Sequence, residues 1–441
     1  MTLLTPNDYY SLAYQLGEYA RAITRIGWLT DPIEVERYKE KCRAEIAQAQ
    51  AAFREHTHQD INTEDIEGEP EEDSEGREPG EEQEELKLSQ SIALANLFYV
   101  TWGVPAKHYS KQTGRPSLNK NALAELLSYP ETKVRKTARF ILHHREASKT
   151  LGFLERLPLR AHYAWNVCAA ATKRWTCNSL SGGGSIQQIK KPRKRKNEQG
   201  EEEEVPGLRN CFIADPGCVL VKADKSQLEL RIVSCLAGEE ALLDVFAQHG
   251  DVHQATADIL GISRELSKTY RYATTYGAND VTVHQQLVVQ FPDTTLAFVK
   301  EIMKRDKARF PKLEEYKQKE IASARAKGYT WLPISNLRII HYFYQGKPSE
   351  IVNWRIQHTA ADDVNLATLR VCKALEWPVE HLKAQIHDEL VAQCPEARAS
   401  RVASILSTEM NSTFTHGKYS VSLPVEVKVG PRWGQMTKWK G

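Results

Sequence analysis

The feature that most constrains this chain is an acidic tract from Asp60 to Leu86. The tract holds fourteen acidic residues and a single base, Arg77, among glycines and prolines. Such a segment cannot bury enough apolar surface to offset the entropy lost on ordering, so we expect a disordered linker or loop. A packed fold must be built from the residues on either side of it.

The charge of the remaining chain follows from this tract. The whole protein carries a net charge of +2 and the tract −13, so the rest carries +15. A basic surplus of this size suits a polyanionic partner such as nucleic acid, or equally a surface that only aids solubility. Charge alone leaves both interpretations open.

Size and composition limit the class of protein. A length of 441 residues is enough for two or three packed units. A hydrophobic fraction of 41% is enough for a sizeable core. No apolar run approaches the ~20 residues of a membrane span, and the N-terminus does not resemble a targeting peptide. The eight cysteines, from Cys42 to Cys394, form no Cys-x-x-Cys pair. We therefore expect no membrane association, no zinc ribbon and a reduced, cytoplasmic protein.

Hydrophobic periodicity predicts helices on both sides of the tract. They are expected over Tyr9–Glu55, Ser91–Tyr99, Leu118–Leu127 and from Val134 toward Leu154.

A second charged segment follows the glycine run near Gly183. It consists of a basic run over 190–196 and the acids Glu201 to Glu204, and it predicts a solvated loop. The basic run also fits a nuclear-localisation signal, although such runs are common on nucleic-acid-binding proteins.

The first chemically informative segment is a predicted buried strand that delivers an acid. Cys218–Val221 is apolar and β-prone, and Asp224 follows it before a helical pattern begins at Gln227. A carboxylate held rigidly at the end of a buried strand suits a metal ligand. The alternative is an aspartate that caps the following helix.

The second segment is a cationic helix. Arg264, Lys268, Tyr272 and Tyr276 recur every four residues, so they form one slanting stripe. Cations near a helix N-terminus oppose the helix dipole and make sense if they meet an anion such as a triphosphate. An exposed basic helix with a tyrosine packing face is the alternative. Upstream, His253 could donate to a phosphate or could only cap its own helix.

The third segment is an acidic turn between two short predicted strands, Leu382–Ile386 and Leu390–Gln393. The turn carries His387, Asp388 and Glu389. If it faces Asp224, two carboxylates converge and can share two divalent ions ~4 Å apart. A plain polar hairpin is the alternative.

Together and in this order, the three segments resemble the polymerase motifs of family A (polymerase I type) DNA polymerases. The matching stretches are Asp224–Arg231, with Lys225 as a departure, Arg264 to Gly277, and Gln385–Leu390. Residues Gln357–Asp362 are similar to a further family motif, with His358 in place of glycine. The resemblance is clear from about Leu88 to Trp433 and fainter over Ile26–Glu55.

The resemblance implies a mechanism. Asp224 and Asp388 would hold two Mg²⁺ ions, or Mn²⁺ in their place, with Glu389 assisting. Lys268 would be catalytic as a proton donor to pyrophosphate and would clamp the triphosphate together with Arg264. The other implied nucleotide-binding residues are Tyr272, Tyr276, His253, Glu229 and Gln227.

The resemblance also implies partners and a shape. Primer–template DNA would be contacted by Gln357, Asn353, His387, Thr176 and Gln187. Asn178 and Ser349 stand where the family usually has arginine, which puts the strength of primer grip in doubt.

The implied fold is α+β, a right-hand polymerase with an antiparallel palm sheet and helical fingers and thumb. The implied parts are an N-terminal helical segment (1–59), the acidic linker (60–87), a thumb (88–160), palm segments (161–232 and 353–441) and fingers (233–352).

Two selectivities follow from the same resemblance. Glu229 would block a ribonucleotide 2′-hydroxyl, and Tyr272, where many relatives have phenylalanine, would admit dideoxynucleotides.

Fewer than ~100 residues precede the thumb, too few for a proofreading exonuclease, so we expect none in this chain.

Two rival functions remain at this stage. One is a related RNA polymerase or reverse transcriptase, against which Glu229 argues. The other is a degenerate polymerase that acts as a DNA-binding scaffold, against which the retention of Asp224, Lys268 and Asp388 argues. We expect a monomer in a bacterial or phage-infected cell. The sequence does not identify a processivity partner.

Overall fold

The computed structural model describes residues 5–57, 86–181, 184–189, 191, 193–196, 202–205, 207–275, 277–291, 293–340 and 348–441. The predicted disorder of the acidic tract lies outside the described residues, and so does Tyr276. The chain divides into two compact units. Unit 1 comprises Met1–Glu36, Arg156–Asn279 and Lys300–Gly441, and unit 2 comprises Arg37–Glu155 and Asp280–Val299.

The described residues form fourteen α-helices. They are α1 (Pro6–Ile26), α2 (Pro32–Thr57), α3 (Ser91–Asn96), α4 (Lys120–Leu126), α5 (Thr132–Leu154), α6 (Leu228–Ala237), α7 (Glu240–Ala247), α8 (Val252–Leu260), α9 (Arg264–Thr275), α10 (Asp280–Leu287), α11 (Leu296–Arg309), α12 (Pro311–Lys327), α13 (Pro348–Ala374) and α14 (Ala399–Met410). A π-helical turn, Leu97–Thr101, extends α3, and short 3₁₀ helices cover Ile186–Gln188, Leu208–Cys211 and Glu396–Arg398. None of the helices in the described ranges is long and apolar enough to cross a membrane.

The strands are short. They are β1 (Trp28–Thr30), β2 (Arg160–Ala161), β3 (Tyr163–Asn166), β4 (Thr176–Ser179), β5 (Arg193–Lys196), β6 (Glu202–Val205), β7 (Phe212–Ile213), β8 (Cys218–Lys225), β9 (Tyr329–Trp331), β10 (Arg338–Ile340), β11 (His381–Ile386), β12 (Glu389–Pro395), β13 (Ser412–His416), β14 (Tyr419–Leu423), β15 (Val425–Arg432) and β16 (Gln435–Lys438).

One antiparallel sheet organises unit 1. Its strand order is β11-β12-β8-β15-β7-β1-β2, with β16 paired to β15. An antiparallel sheet with separate helical layers is the predicted α+β class, which is confirmed. Because β8 lies inside the sheet, with Val221 and Ala223 fully buried, its end is held rigidly.

Each unit has its own apolar core. In unit 1, buried side chains of α6, α7, α12 and α13 pack with those of β13 and β14, around residues such as Ile232 and Phe414. In unit 2, residues of α2 to α5 form a second cluster around Phe53, Phe98 and Ile141. Burial of this apolar surface is the main favourable contribution to folding of each unit.

The helical region predicted over Tyr9–Glu55 is interrupted. The chain breaks after α1 at Gly27, where φ is +64°, and forms strand β1 before α2 begins. A side chain at Gly27 would lie 2.7 Å from the His162 ring, so glycine is required both by the backbone conformation and by the close approach. Helical periodicity on both sides concealed the break.

The solvated loop predicted for the charged insert is also corrected. Its described residues form two antiparallel strands, β5 and β6, whose register sets Lys194 opposite Glu204 and Lys196 opposite Glu202. Residues of opposite charge at facing positions favour strand pairing. The sequence showed the charge blocks but not that one would fold back along the other.

Candidate active site

Two strands of the sheet bring the predicted carboxylates together. β8 and β12 pair with Glu389 directly opposite Asp224. Asp388 precedes β12 in the turn after β11, and its carbonyl oxygen accepts a 3.1 Å hydrogen bond from the Lys225 amide. Asp224 does not cap α6, because that helix has Gln227 as its N-cap residue. The sheet pairing places all three acidic residues at the same end of β8 and β12.

The electrostatics of the two aspartates also suit a cation. Burial and the neighbouring charge of Asp224 raise the pKa of Asp388 to about 7. A divalent ion would favour the doubly ionised pair, and carboxylate oxygens are ligands that Mg²⁺ takes. Within the described ranges no group of three or more His, Cys, Asp or Glu side chains could hold an ion. The carboxylates of Asp224 and Asp388 would be the protein ligands of such an ion.

Glu389 is held by its neighbours. Arg209 Nη1 donates to both carboxylate oxygens at 2.8 and 2.9 Å, and Trp433 Nε1 donates to Oε1 at 2.9 Å. Burial favours the neutral acid, but Arg209, Lys222 and other nearby cations outweigh it and lower the pKa of Glu389. Glu389 thus stays ionised, with a fixed orientation, beside Asp224.

An exposed lysine also reaches these acids. Lys191 Nζ lies 3.0 Å from Asp224 Oδ2 and 3.4 Å from Glu389 Oε2. Lys191 belongs to the basic run that the sequence had assigned to a solvated loop. No spacing rule in the sequence links Lys191 to Asp224, so its position is seen only in the folded structure.

Beside the carboxylates lies a cavity of about 240 Å³. Six of the predicted site residues line it, namely Gln227, Glu229, His253, Tyr272, His387 and Asp388. The other lining residues are Arg174, Leu228, Leu230, Arg271, Thr275, Ala360, Ala361 and Val364. The buried Gln227 Oε1 and His253 Nδ1 have no hydrogen-bond partner in the part of the chain described, as expected of groups that await a ligand.

Glu229 is anchored at this cavity by Arg174, with which it forms an ion pair. Burial raises the pKa of Glu229, and Arg174 opposes that rise. The sequence prediction named Glu229 but missed Arg174. The one sequence signal that pointed to Arg174 was its place just before Thr176, a predicted DNA-contacting residue.

The cationic helix is α9, as predicted. Arg264, Lys268 and Tyr272 are exposed, while Tyr270, off the predicted stripe, is fully buried. Of the two tyrosines in the predicted stripe, Tyr272 is exposed and Tyr276 lies outside the described residues. Arg264 Nε lies 2.7 Å from Asp251 Oδ2, so the exposed cation is partly neutralised without ligand.

His253 is buried close to α9. Its ring centroid lies 6.1 Å from that of Tyr272. Burial lowers the pKa of His253 to about 4; Asp251 opposes this shift, while Lys268 and Arg264 add to it. A neutral imidazole at neutral pH can donate one hydrogen bond without adding charge.

The predicted DNA-contacting residues occupy several elements of unit 1. Asn353 and Gln357 lie one turn apart on α13, and Asn353 Oδ1 has no hydrogen-bond partner in the described ranges. Thr176 begins β4, and His387 is exposed in the acidic turn. Gln187 Nε2 donates to the carbonyls of Trp175 and Gln385 at 2.9 and 3.3 Å.

The two positions at which this chain lacks the family's usual arginine are Asn178 and Ser349. Asn178 is exposed on β4. The Ser349 side chain lies outside the described residues, so the prediction for it has no structural counterpart.

Comparison with known proteins gives a consistent result. The family model described as "DNA polymerase family A" matches residues 69–435. The chain is 28% identical over 370 residues to thermostable DNA polymerase I of Thermus aquaticus, covering 78% of this chain and 41% of that protein. It is 27% identical over 236 residues to a DNA polymerase of Mycobacterium phage L5, covering 52% of this chain and 36% of that one. The chain thus spans about two-fifths of the length of its Thermus relatives.

The fold is similar to a solved structure as well. The polymerase domain of Pol1 from M. smegmatis, in complex with DNA primer–template and dNTP, matches with a TM-score of 0.71. The match covers 95% of this chain and 69% of that one at 21% identity.

Proposed function

Because this chain belongs to DNA polymerase family A, we propose that it is a DNA-directed DNA polymerase that extends a primer 3′-hydroxyl with deoxynucleotides. The observation that carries the proposal is the strand pairing that sets Glu389 opposite Asp224, with Asp388 in the adjoining turn, beside a cavity lined by the predicted nucleotide-binding residues. Primer–template DNA and deoxynucleoside triphosphates, as in the mycobacterial complex, would be its ligands.

Asp224 and Asp388 are the residues that would hold two Mg²⁺ ions, or Mn²⁺ in their place. When bound, such ions lower the pKa of the attacking hydroxyl and neutralise charge on the triphosphate and the leaving pyrophosphate. Glu389 does not need to bind metal directly, since Arg209 and Trp433 occupy its oxygens. Its role is to position β12 and to keep a negative charge beside Asp224.

The triphosphate would be bound by α9. Arg264 and Lys268 project from its exposed side, and the helix N-terminus adds to their attraction for an anion. Arg264 would exchange Asp251 for phosphate, and Lys268 would donate a proton to pyrophosphate. Movement of α9 over a correct base pair would complete the site, so that base pairing selects the nucleotide.

The predicted domains map onto the two units as follows. The thumb prediction (88–160) lies in unit 2 except for its last residues, and both palm segments lie in unit 1. The fingers prediction (233–352) is divided, since Asp280–Val299 belongs to unit 2. These assignments, the monomeric state, the cytoplasmic location and the absence of proofreading stay predictions.

The direct test of the function is primer extension with sugar discrimination. Purified protein with Mg²⁺ should add the deoxynucleotide complementary to the template and reject its ribonucleotide. Replacing Glu229 with alanine should reduce that discrimination about 100-fold, because the anchored side chain that blocks the 2′-hydroxyl is lost. Steady-state kcat/KM for each sugar provides the measurement.

Glu240, an exposed acid of α7, provides the matched control as Glu240→Ala, which should discriminate like the native protein. Template-dependent incorporation of ribonucleotides by the native protein would support the rival RNA polymerase. Binding of primer–template with no incorporation of either sugar would support the scaffold.

Tyr272 predicts ready use of dideoxynucleotides. The residue is 52% exposed and lines the cavity, where its hydroxyl can replace a contact normally supplied by the 3′-hydroxyl of the incoming nucleotide. Tyr272→Phe should lower dideoxynucleotide incorporation by about 10- to 100-fold relative to deoxynucleotide, the value of one hydrogen bond to a charged group. Termination frequencies on one template compare the two proteins, and equally poor termination by both would refute the role.

A further inference from the structure

We propose that Lys191 is a built-in counterion for Asp224, which a divalent cation held by Asp224 and Asp388 must displace, and that Lys191 thereby sets how tightly the chain holds metal. The inference rests on the proposed function, because that function places the metal at these two aspartates. It goes further by assigning a role to the charged insert.

The first support is the position of the ammonium group. Lys191 Nζ lies 3.0 Å from Asp224 Oδ2 and 3.4 Å from Glu389 Oε2, so it sits between the acids of two neighbouring strands. The ammonium group neutralises part of the negative charge of these acids with one positive charge, where a divalent ion would supply two.

The second support is that the neighbouring glutamates have cations of their own. Arg174 pairs with Glu229 and Arg209 with Glu389. Glu426, which lies opposite Asp224 on β15, pairs with Lys428 at 2.9 Å. In the part of the chain that the structure describes, Lys191 is the one cation in an ion pair with Asp224.

The third support is the contrast in exposure between these cations. The Arg209 side chain is 4% exposed and stacks on the Trp433 ring at 3.9 Å, so it is fixed. The Lys191 side chain is 54% exposed and comes from the charged insert rather than from the sheet. A lysine on a flexible four-carbon stem can move into water without disturbing the strands.

The position, pairing and exposure of Lys191 together predict its effect on metal binding. An ammonium and a metal ion compete for the same Asp224 oxygen, so the free energy of metal binding includes the loss of the lysine contact. Removing the ammonium should therefore tighten metal binding. A partly exposed ion pair of this kind corresponds to an effect of up to about tenfold.

The experiment measures Mn²⁺ binding to the full 441-residue chain by titration calorimetry, without DNA or nucleotide. We compare the native protein with Lys191→Met, Lys191→Arg and Asp388→Asn. Lys307→Met serves as the matched control, because Lys307 is 56% exposed and also pairs with a glutamate, Glu314. Circular dichroism melting establishes that each variant is folded.

We expect Lys191→Met to bind Mn²⁺ about tenfold more tightly than the native protein, with Lys191→Arg and Lys307→Met no tighter than native. If Asp388→Asn loses the site but Lys191→Met binds as the native protein does, the counterion role is overturned and the proposed function stands. If Asp388→Asn binds Mn²⁺ as well as the native protein, the metal site of the proposed function is itself wrong.

Discussion

Replacing Asp388 with asparagine is expected to slow primer extension on the order of 10³-fold while leaving the fold intact. The substitution keeps the size of the side chain but removes one of the two charges that would bind metal. The hydrogen bond from the Lys225 amide to residue 388 is unaffected, because it uses the backbone carbonyl. Single-turnover extension at saturating Mg²⁺ and nucleotide measures the loss.

The matched control is Asp258→Asn, which makes the same chemical change at an exposed aspartate that accepts a hydrogen bond from Gln254 on α8. It should extend primers at the native rate. Fluorescence anisotropy with labelled primer–template should show that Asp388→Asn still binds DNA. A rate within about tenfold of native would mean that Asp388 is not a metal ligand of the reaction.

Replacing Lys225 with methionine is expected to destabilise unit 1 by about 3–5 kcal/mol. Lys225 Nζ lies 2.6 Å from Asp363 Oδ2, with both side chains fully buried, and Ser412 bridges them by hydrogen bonds of 2.9 and 2.7 Å. The methionine would leave the Asp363 charge buried without its partner, the most costly way to break such a pair. Urea unfolding followed by circular dichroism gives the free energy of unfolding.

The double variant Lys225→Met/Asp363→Leu separates charge from packing. Because it removes both charges, it should recover most of the stability that Lys225→Met loses. A single variant within about 1 kcal/mol of native, or a double variant no better than the single one, would contradict a paired, desolvated lysine.

The pairing of Lys225 with Asp363 also explains why lysine follows the motif aspartate, which the sequence alone did not explain. Lys225 follows the motif aspartate, and nothing near it in the sequence identifies Asp363 as its partner. The two meet because β8 and α13 belong to one unit, and a partner so distant in sequence leaves no periodic signal. The same holds for Arg209 and Glu389.

Local patterns, by contrast, were predictable. The β-branched run before Asp224, the four-residue repeat of α9 and the acidic turn between β11 and β12 each follow from the period of a strand or helix. Their order along the chain carried the resemblance to the polymerase family. The break at Gly27 and the pairing of β5 with β6 were missed, because both depend on contacts that a period does not encode.

The central claim is that Asp224 and Asp388 share divalent ions beside a bound triphosphate, and a crystal structure tests it most directly. The crystals would contain primer–template, a non-hydrolysable deoxynucleotide and Mn²⁺, with data collected for anomalous scattering. The account predicts anomalous peaks roughly 2 Å from oxygens of both aspartates, with Lys191 turned away and the triphosphate against α9. Peaks that contact neither aspartate, or a triphosphate bound away from α9, would contradict it.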